Sequence, residues 1–290
     1  MQVLCAGHVN WDVTLRVDRL PAPDGEVTIE QHHQAGGGSA ANVAVNLEGL
    51  DHEASLFGSV GSDESGVLAG RELAEAGVET HLVESAGETA VKYLVVDGGG
   101  EVMMLSNQGA NEAYRASDLP DGALDVDLLH LTNQPPAVAA ELARRGRTAG
   151  VEVSFSPGRR FADRDFSGTL PLADLLFLNE REATALVNGA GMDAVRADAD
   201  LVITRGADGA DLRRDGRTVS HDGYHIDPLD TTGAGDAFAS GFLAARAEGE
   251  TGEGALAVAN ACGAIASGCV GARADVSWAA VEAFIDEQTA

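Results

Sequence analysis

Short apolar runs alternate with amphipathic stretches along most of the chain. Residues 3–7 are continuously apolar and of strand length, which predicts a buried strand. Residues 12–17 follow with period two, Val13, Leu15 and Val17 sharing one face, so a half-exposed strand is predicted. A similar stretch at 26–31 comes after the turn signal PAPDG, and two more, 90–96 and 101–105, flank DGGG. These four strands predict a small sheet separate from the core. Elsewhere, apolar strands at 54–60, 128–131, 151–155, 175–178 and 201–204 alternate with helical patterns at 40–50, 67–76, 137–145, 181–186, 237–247 and 254–267. Such alternation predicts an α/β fold with a mostly parallel sheet covered on both faces, whose ligands sit beyond the carboxyl ends of the strands.

Length and composition narrow the partners. A chain of 290 residues suits one main domain with a small appendage. Its 46 acidic residues against 19 basic ones give a net charge of −27, a field that disfavours nucleic acid and anionic membranes. Lys92 is the single lysine among the basic residues, and that bias with the acidity points to a halophilic cytoplasm. At 1 M salt the Debye length is roughly 3 Å, so self-repulsion costs little. Cys5, Cys262 and Cys269 show no metal-like spacing and are expected to be free thiols. The start MQVLCAGHVNWD has no basic leader and no apolar run approaches the roughly 20 residues of a membrane span, so a cytoplasmic protein is expected.

The densest chemical signal is Asp230-Thr231-Thr232-Gly233-Ala234-Gly235-Asp236, which leads straight into the helical pattern AFASGFLAARAEG. Small residues at Gly233, Ala234 and Gly235 let backbone N–H groups converge at a helix start, a ready anion site. A γ-phosphoryl group in transfer needs such donors, and Asp236 at the same helix start suits a general base. A capping aspartate at an ordinary helix start is the alternative for any short GxGD, but seven specified positions favour function.

That segment, together with Gly37-Gly38-Ser39-Ala40-Ala41-Asn42-Val43-Ala44, resembles the two signatures of the ribokinase-like, or PfkB, family of carbohydrate kinases. The resemblance runs through most of the chain. It implies a ribokinase-like fold with a nucleotide-binding core over 1–11, 36–88 and 109–290, a β-sheet lid over 12–35 and 89–108, ATP as donor, and Mg²⁺. On the residues' own chemistry, Gly37 and Gly38 let backbone approach a ligand, Asn42 offers an amide, and Asp12 a carboxylate for two hydroxyls. In the family, the matching Asp and Asn hold the sugar. Asn179 and Glu182 match its NxxE pattern, which acts on the Mg²⁺ shell through water; an asparagine cap with first-turn acids is the alternative and is compatible with it. Thr204 and Gly206 resemble the nucleotide-contacting segment, and Asn260 falls where adenine is often met. Asp230 and Thr232 match ligands of a monovalent cation, K⁺ in some members, with residues 269–275 as the companion loop, although Asp275 stands where a small polar residue is expected.

Substrate choice rests on the cations. Lys92 lies three residues after Thr89, where the family pattern faces the substrate, and a point charge there suits a carboxylate or phosphate. Arg159 and Arg160 in FSPGRRF form a second cationic pair; Ser156 and Gly158 depart from the Asp and Asn of sugar-acid kinases, which argues against a 2-keto-3-deoxygluconate kinase. His32 and His33 precede the glycine run and read as lid surface. An anionic acceptor such as ribose 1-phosphate or fructose 1-phosphate is therefore the leading expectation, with a neutral sugar or nucleoside as the alternative. A sugar-binding regulator is the non-enzyme alternative, disfavoured by the intact Asp236 segment. A nicotinamide-dependent dehydrogenase fails because no GxGxxG follows the first strand. Exposed lid edges point to a homodimer through the lid.

Overall fold

The computed structural model describes residues 1–99 and 101–289; Gly100, the last residue of the DGGG turn signal, lies outside the described residues. In chain order the strands are β1 (Gln2–Ala6), β2 (Asn10–Val17), β3 (Ile29–Gly37), β4 (Glu53–Gly61), β5 (Glu79–Ser85), β6 (Ala90–Val96), β7 (Val102–Asn107), β8 (Leu128–Thr132), β9 (Glu152–Ser156), β10 (Leu175–Asn179), β11 (Asp200–Thr204), β12 (Ala210–Arg214) and β13 (Arg217–His221). The helices are α1 (Ser39–Gly49), α2 (Glu64–Glu75), α3 (Pro136–Ala149), α4 (Glu180–Asn188), α5 (Ala234–Ala247), α6 (Gly252–Ser267) and α7 (Trp278–Thr289).

Among the described residues nine strands form one sheet in the order β13-β12-β11-β10-β9-β8-β1-β4-β5, parallel from β11 to β5 and antiparallel at β12 and β13. The unbroken apolar run of β1 is explained by burial on both sides. Val3 and Cys5 enter one core with residues of α1, α5 and α6, while Leu4 and Ala6 enter the other with residues of α3. From β1 the chain builds outward through β4 and β5, then returns to the other side of β1 with β8, β9, β10 and β11. A crevice opens at the carboxyl ends where that direction reverses.

The second sheet, the lid, has the order β3-β2-β6-β7. Its strand register sets Asp12 beside Lys92. The strand expected at 26–31 instead runs Ile29–Gly37, pairing from Val17 with Ile29 to Asn10 with Gly37. Its residues 29–34 are exposed, so backbone pairing with β2 holds it and no apolar alternation marks its span. β5, β12 and β13 extend the core sheet beyond what periodicity indicates; β12 and β13 carry exposed arginines on a hairpin added by tertiary pairing. α7 was likewise unmarked. It is docked by Trp278, whose indole Nε1 donates to the Leu50 carbonyl at 2.9 Å.

α5 and α6 pack closely because Gly241 faces Cys262. A methyl group at 241 would lie 2.6 Å from Cys262 Sγ and 3.1 Å from Ala259 Cα. Gly241→Ala should therefore destabilise the protein by about 1–3 kcal/mol in chemical denaturation although alanine is the better helix former. Adding Cys262→Ala should recover part of the loss.

Candidate active site

The carboxyl ends of β8, β9, β10 and β11 deliver Asn133, Ser156, Asn179 and Thr204 to one rim, and the turn after β1 delivers His8. Asn10, Lys92 and Ser106 of the second sheet close the other side, leaving a cavity of about 440 Å³. The start of α5 forms part of its wall through Gly233, Gly235 and Asp236. Gly233 holds φ 81°, and a Cβ there would collide with the Ala272 carbonyl oxygen, so only glycine fits. By helix geometry the first-turn amides of α5 have no intrahelical acceptor; that of Ala234 turns back to the Thr231 carbonyl at 3.3 Å, and those of Gly235 and Asp236 are open to an anion.

Asp236 Oδ2 accepts a hydrogen bond of 2.8 Å from Asn42 Nδ2. Burial pushes this carboxyl up to about 6, against the downward pull of Asn42, Ser39 and Lys92. A value near neutrality is that of a usable general base. Asn42 is placed by α1, whose first residue follows Gly38 at φ 97°; a side chain on Gly38 would strike the His8 carbonyl, and one on Gly37 the Asp12 carboxylate.

Asp12 is buried and neither of its oxygens has a hydrogen-bond partner; the same holds for Asn42 Oδ1. Lys92 Nζ stands 3.7 Å from Asp12 Oδ2 across the register of β2 and β6. Burial pushes the Asp12 carboxyl up, while Lys92 and then Arg273 oppose that shift. Arg273 is itself nearly buried and bonds Glu72 Oε2 at 3.1 Å, the same oxygen that accepts the Gly36 amide at 2.6 Å. Asp12 and Gly37 do not themselves line the cavity, whereas Lys92 and Gly38 beside them do.

Asn179 and Glu182 form a reciprocal capping box: Asn179 Oδ1 accepts from the Glu182 amide at 2.9 Å and Glu182 Oε2 from the Asn179 amide at 3.0 Å. Both also line the cavity, and burial pushes the Glu182 carboxyl up. A buried carboxylate oxygen beside an amide fits a hydrated hard cation. Asp230 lies under the loop, where Oδ1 accepts from the Thr232 amide at 2.9 Å and Oδ2 from the Gly271 amide at 3.0 Å. It therefore ties the turn before α5 to the 269–275 segment.

Of the residues singled out in the sequence, Gly38, Asn42, Lys92, Arg160, Asn179, Glu182, Thr204, Thr232, Gly233, Gly235 and Asp236 line this one cavity. Gly206, at φ 61° in the turn after β11, and Asn260 do not. Asn260 Nδ2 donates to the Leu256 carbonyl at 2.8 Å and lies 3.2 Å from His221 Nδ1.

A second group gathers Arg160 with residues that the sequence does not single out. Glu112 receives Arg164 Nη2 at 2.7 Å and His8 Nε2 at 3.4 Å, with Arg160 Nη1 at 3.9 Å. The His8 hydrogen bond, joined by that of Arg164, holds the Glu112 carboxyl down at about 2. The only local hint is the spacing of Arg160 and Arg164 around a short 3₁₀ turn; Glu112 sits in a loop without periodicity.

The sequence profile described as pfkB family carbohydrate kinase matches residues 1–279. An ATP-dependent ribose-1-phosphate kinase of Halopiger xanaduensis is 49% identical, covering 99% of each chain, and a ribokinase of Haemophilus influenzae is 27% identical over 93% of each. Among solved structures, a ribokinase from Thermotoga maritima superposes with a TM-score of 0.87 at 23% identity, covering 98% of this chain and 99% of its own. The ribokinase-like frame, the site at the carboxyl ends and these likenesses agree: the chain belongs to the pfkB family of carbohydrate kinases.

Proposed function

We propose that this ATP-dependent kinase phosphorylates a hydroxyl of ribose 1-phosphate, with Asp236 as general base. The observation that carries the reading is one cavity joining a carboxylate poised near neutrality at an anion-binding helix start to arginines of the loops after β9. The name of the 49%-identical relative supplies the acceptor's identity.

Asn42 and Asp12 would accept and orient acceptor hydroxyls, with Gly37 and Gly38 admitting the sugar close to the backbone. Asp236 takes the proton of the attacking hydroxyl, and the amides of residues 233–236 hold the γ-phosphoryl oxygens. Thr204, Gly206 and Asn260 mark the side on which the nucleotide lies. Asn179 and Glu182 would hold Mg²⁺ through water, where the ion supplies charge neutralisation of the donor phosphates. Asp230, with lone pairs beyond those used by Thr232 and Gly271, and Thr232 are the proposed cradle for K⁺.

The lid, over 12–35 and 89–108, excludes water from the core formed by the remaining segments. Its outer strands, where Ile29, Val102 and Leu105 are each more than half exposed, support a homodimer through the lid. The net charge of −27 supports a halophilic cytoplasm as the setting.

The direct test is ADP release across phosphorylated and unphosphorylated pentoses, hexoses and nucleosides. Ribose 1-phosphate should give the highest kcat/KM; a preference for free ribose or a nucleoside would overturn the acceptor assignment. Asp236→Asn should lower kcat by about 10²–10⁴-fold with little change in ATP affinity, and near-normal turnover would remove Asp236 as the base. Its titration gives a second readout. Because the folded-state value is raised from 3.8 to about 6, the aspartate's favourable contribution is complete below about pH 4 and lost as pH rises through 6. Asp236→Asn should therefore be more stable than the wild type by about 1–3 kcal/mol at pH 8 and no more stable at pH 4.

A further inference from the structure

We propose that the phosphate already on the acceptor is bound by Arg160 and Arg164, with Glu112, which His8 also holds, as the residue that gathers them; this rests on the phosphorylated-acceptor reading above. The hydrogen-bonding arithmetic around Glu112 carries the argument. Arg164 Nη2, His8 Nε2 and Arg160 Nη1 all converge on the single oxygen Oε1, at 2.7, 3.4 and 3.9 Å. One ionised carboxylate thus faces two permanent guanidinium charges and an imidazole, and the cluster keeps a positive surplus even with His8 neutral. In a chain of net charge −27, such a surplus on a cavity wall is a local exception.

The two arginines divide the work. Arg164 is fixed: Nη1 donates to the Gln134 carbonyl at 3.1 Å while Nη2 holds Glu112, and its side chain is only 17% exposed. Arg160 is 42% exposed and beyond hydrogen-bonding distance of Glu112; with the Gln108 amide turned so that its oxygen faces the guanidinium, Gln108 Oε1 accepts from Nη1 at 2.9 Å and from Nη2, a neutral partner that two oxygens of a phosphate would displace. Gly158 makes this placement possible. At φ 75° it lies so close to Asn133 that any side chain would collide with the amide, and Arg160 follows two residues later at the rim.

The same loop is linked to the reacting end. Asn133 Nδ2 donates to Ser39 Oγ at 2.8 Å, and Ser39 pulls on the Asp236 carboxyl. Lys92 is differently employed: its ammonium answers the otherwise unpartnered carboxylate of Asp12. Its role is to keep Asp12 ionised for sugar hydroxyls, and the phosphate belongs to the arginines.

Steady-state kinetics and calorimetry with inorganic phosphate test this. Arg160→Ala should raise the KM for ribose 1-phosphate about 10–100-fold, the loss expected for charge-assisted hydrogen bonds, with the KM for ATP unchanged; Arg160→Lys should recover part of it. Arg164→Lys, which keeps the charge but loses the double anchorage, should act in the same direction. Inorganic phosphate should bind the wild type in competition with the acceptor and lose that competition in Arg160→Ala. An equal rise in the KM for ATP would make these arginines donor ligands and overturn the proposal, as would an unchanged KM for ribose 1-phosphate. If the wild type accepts no phosphorylated sugar but phosphate binding still tracks Arg160, the cradle stands and the acceptor assignment fails. If neither is seen, both fall.

Discussion

Asn42 Nδ2 donates to Asp236 Oδ2 at 2.8 Å across 194 positions of sequence, and that contact joins the starts of α1 and α5 at the bottom of the cavity. Each helix start carries its own constraint. The turn into α1 must pass against Asp12 and His8, which only Gly37 and Gly38 permit, and the turn into α5 must pass against Ala272, which only Gly233 permits. Once both turns are seated, Asp236, the first-turn amides of α5 and the polar groups of Asp12 and Asn42 share one frame. The parallel sheet supplies the rigidity, since five strand ends at a point of reversed winding can hold loops that have little packing of their own.

Charge is distributed unevenly in a way that serves this frame. Away from the cavity, arginines are spent on nearby carboxylates: Arg205 on Asp211, Arg214 on Asp200, Arg196 on Asp174 and Arg246 on Glu152. These pairs stitch edge strands and loops together and contribute little to the long-range field. At the cavity the bookkeeping changes, because Glu112 is outnumbered by its cations and Asp12 by Lys92 and Arg273. High salt would screen the protein's net negative field over a few ångströms while leaving such close, partly buried contacts effective. An anionic substrate can then approach a strongly acidic protein.

What was legible in the sequence was what is local. The 2- and 3.6-residue periods placed most core elements, and residues 230–236 announced a helix start with a carboxylate in its first turn. The features that escaped depend on partners far away in the chain. β3 is held by pairing with β2 and has no apolar face to advertise it. Lys92 stood out by composition, yet its pairing with Asp12 is a fact of strand register. Glu112 meets Arg164 at a separation of 52 residues and His8 at 104, and no window of sequence holds all three.

The two halves of the cavity demand opposite things of a ligand. Around Asp12 and Asn42 the unpartnered groups are buried acceptors, and each costs roughly 1–3 kcal/mol until a donor arrives. Around Arg160 and Arg164 the surplus consists of donors. A sugar phosphate has hydroxyl donors along its ring and acceptor oxygens at its phosphate, so only one orientation satisfies both ends. On the proposed reading, that orientation would bring the hydroxyl remote from the phosphate to Asp236 and keep the phosphate away from the first-turn amides of α5. The choice of hydroxyl would then follow from the arginines as much as from the base: the same charge that selects the substrate also decides which of its ends can react.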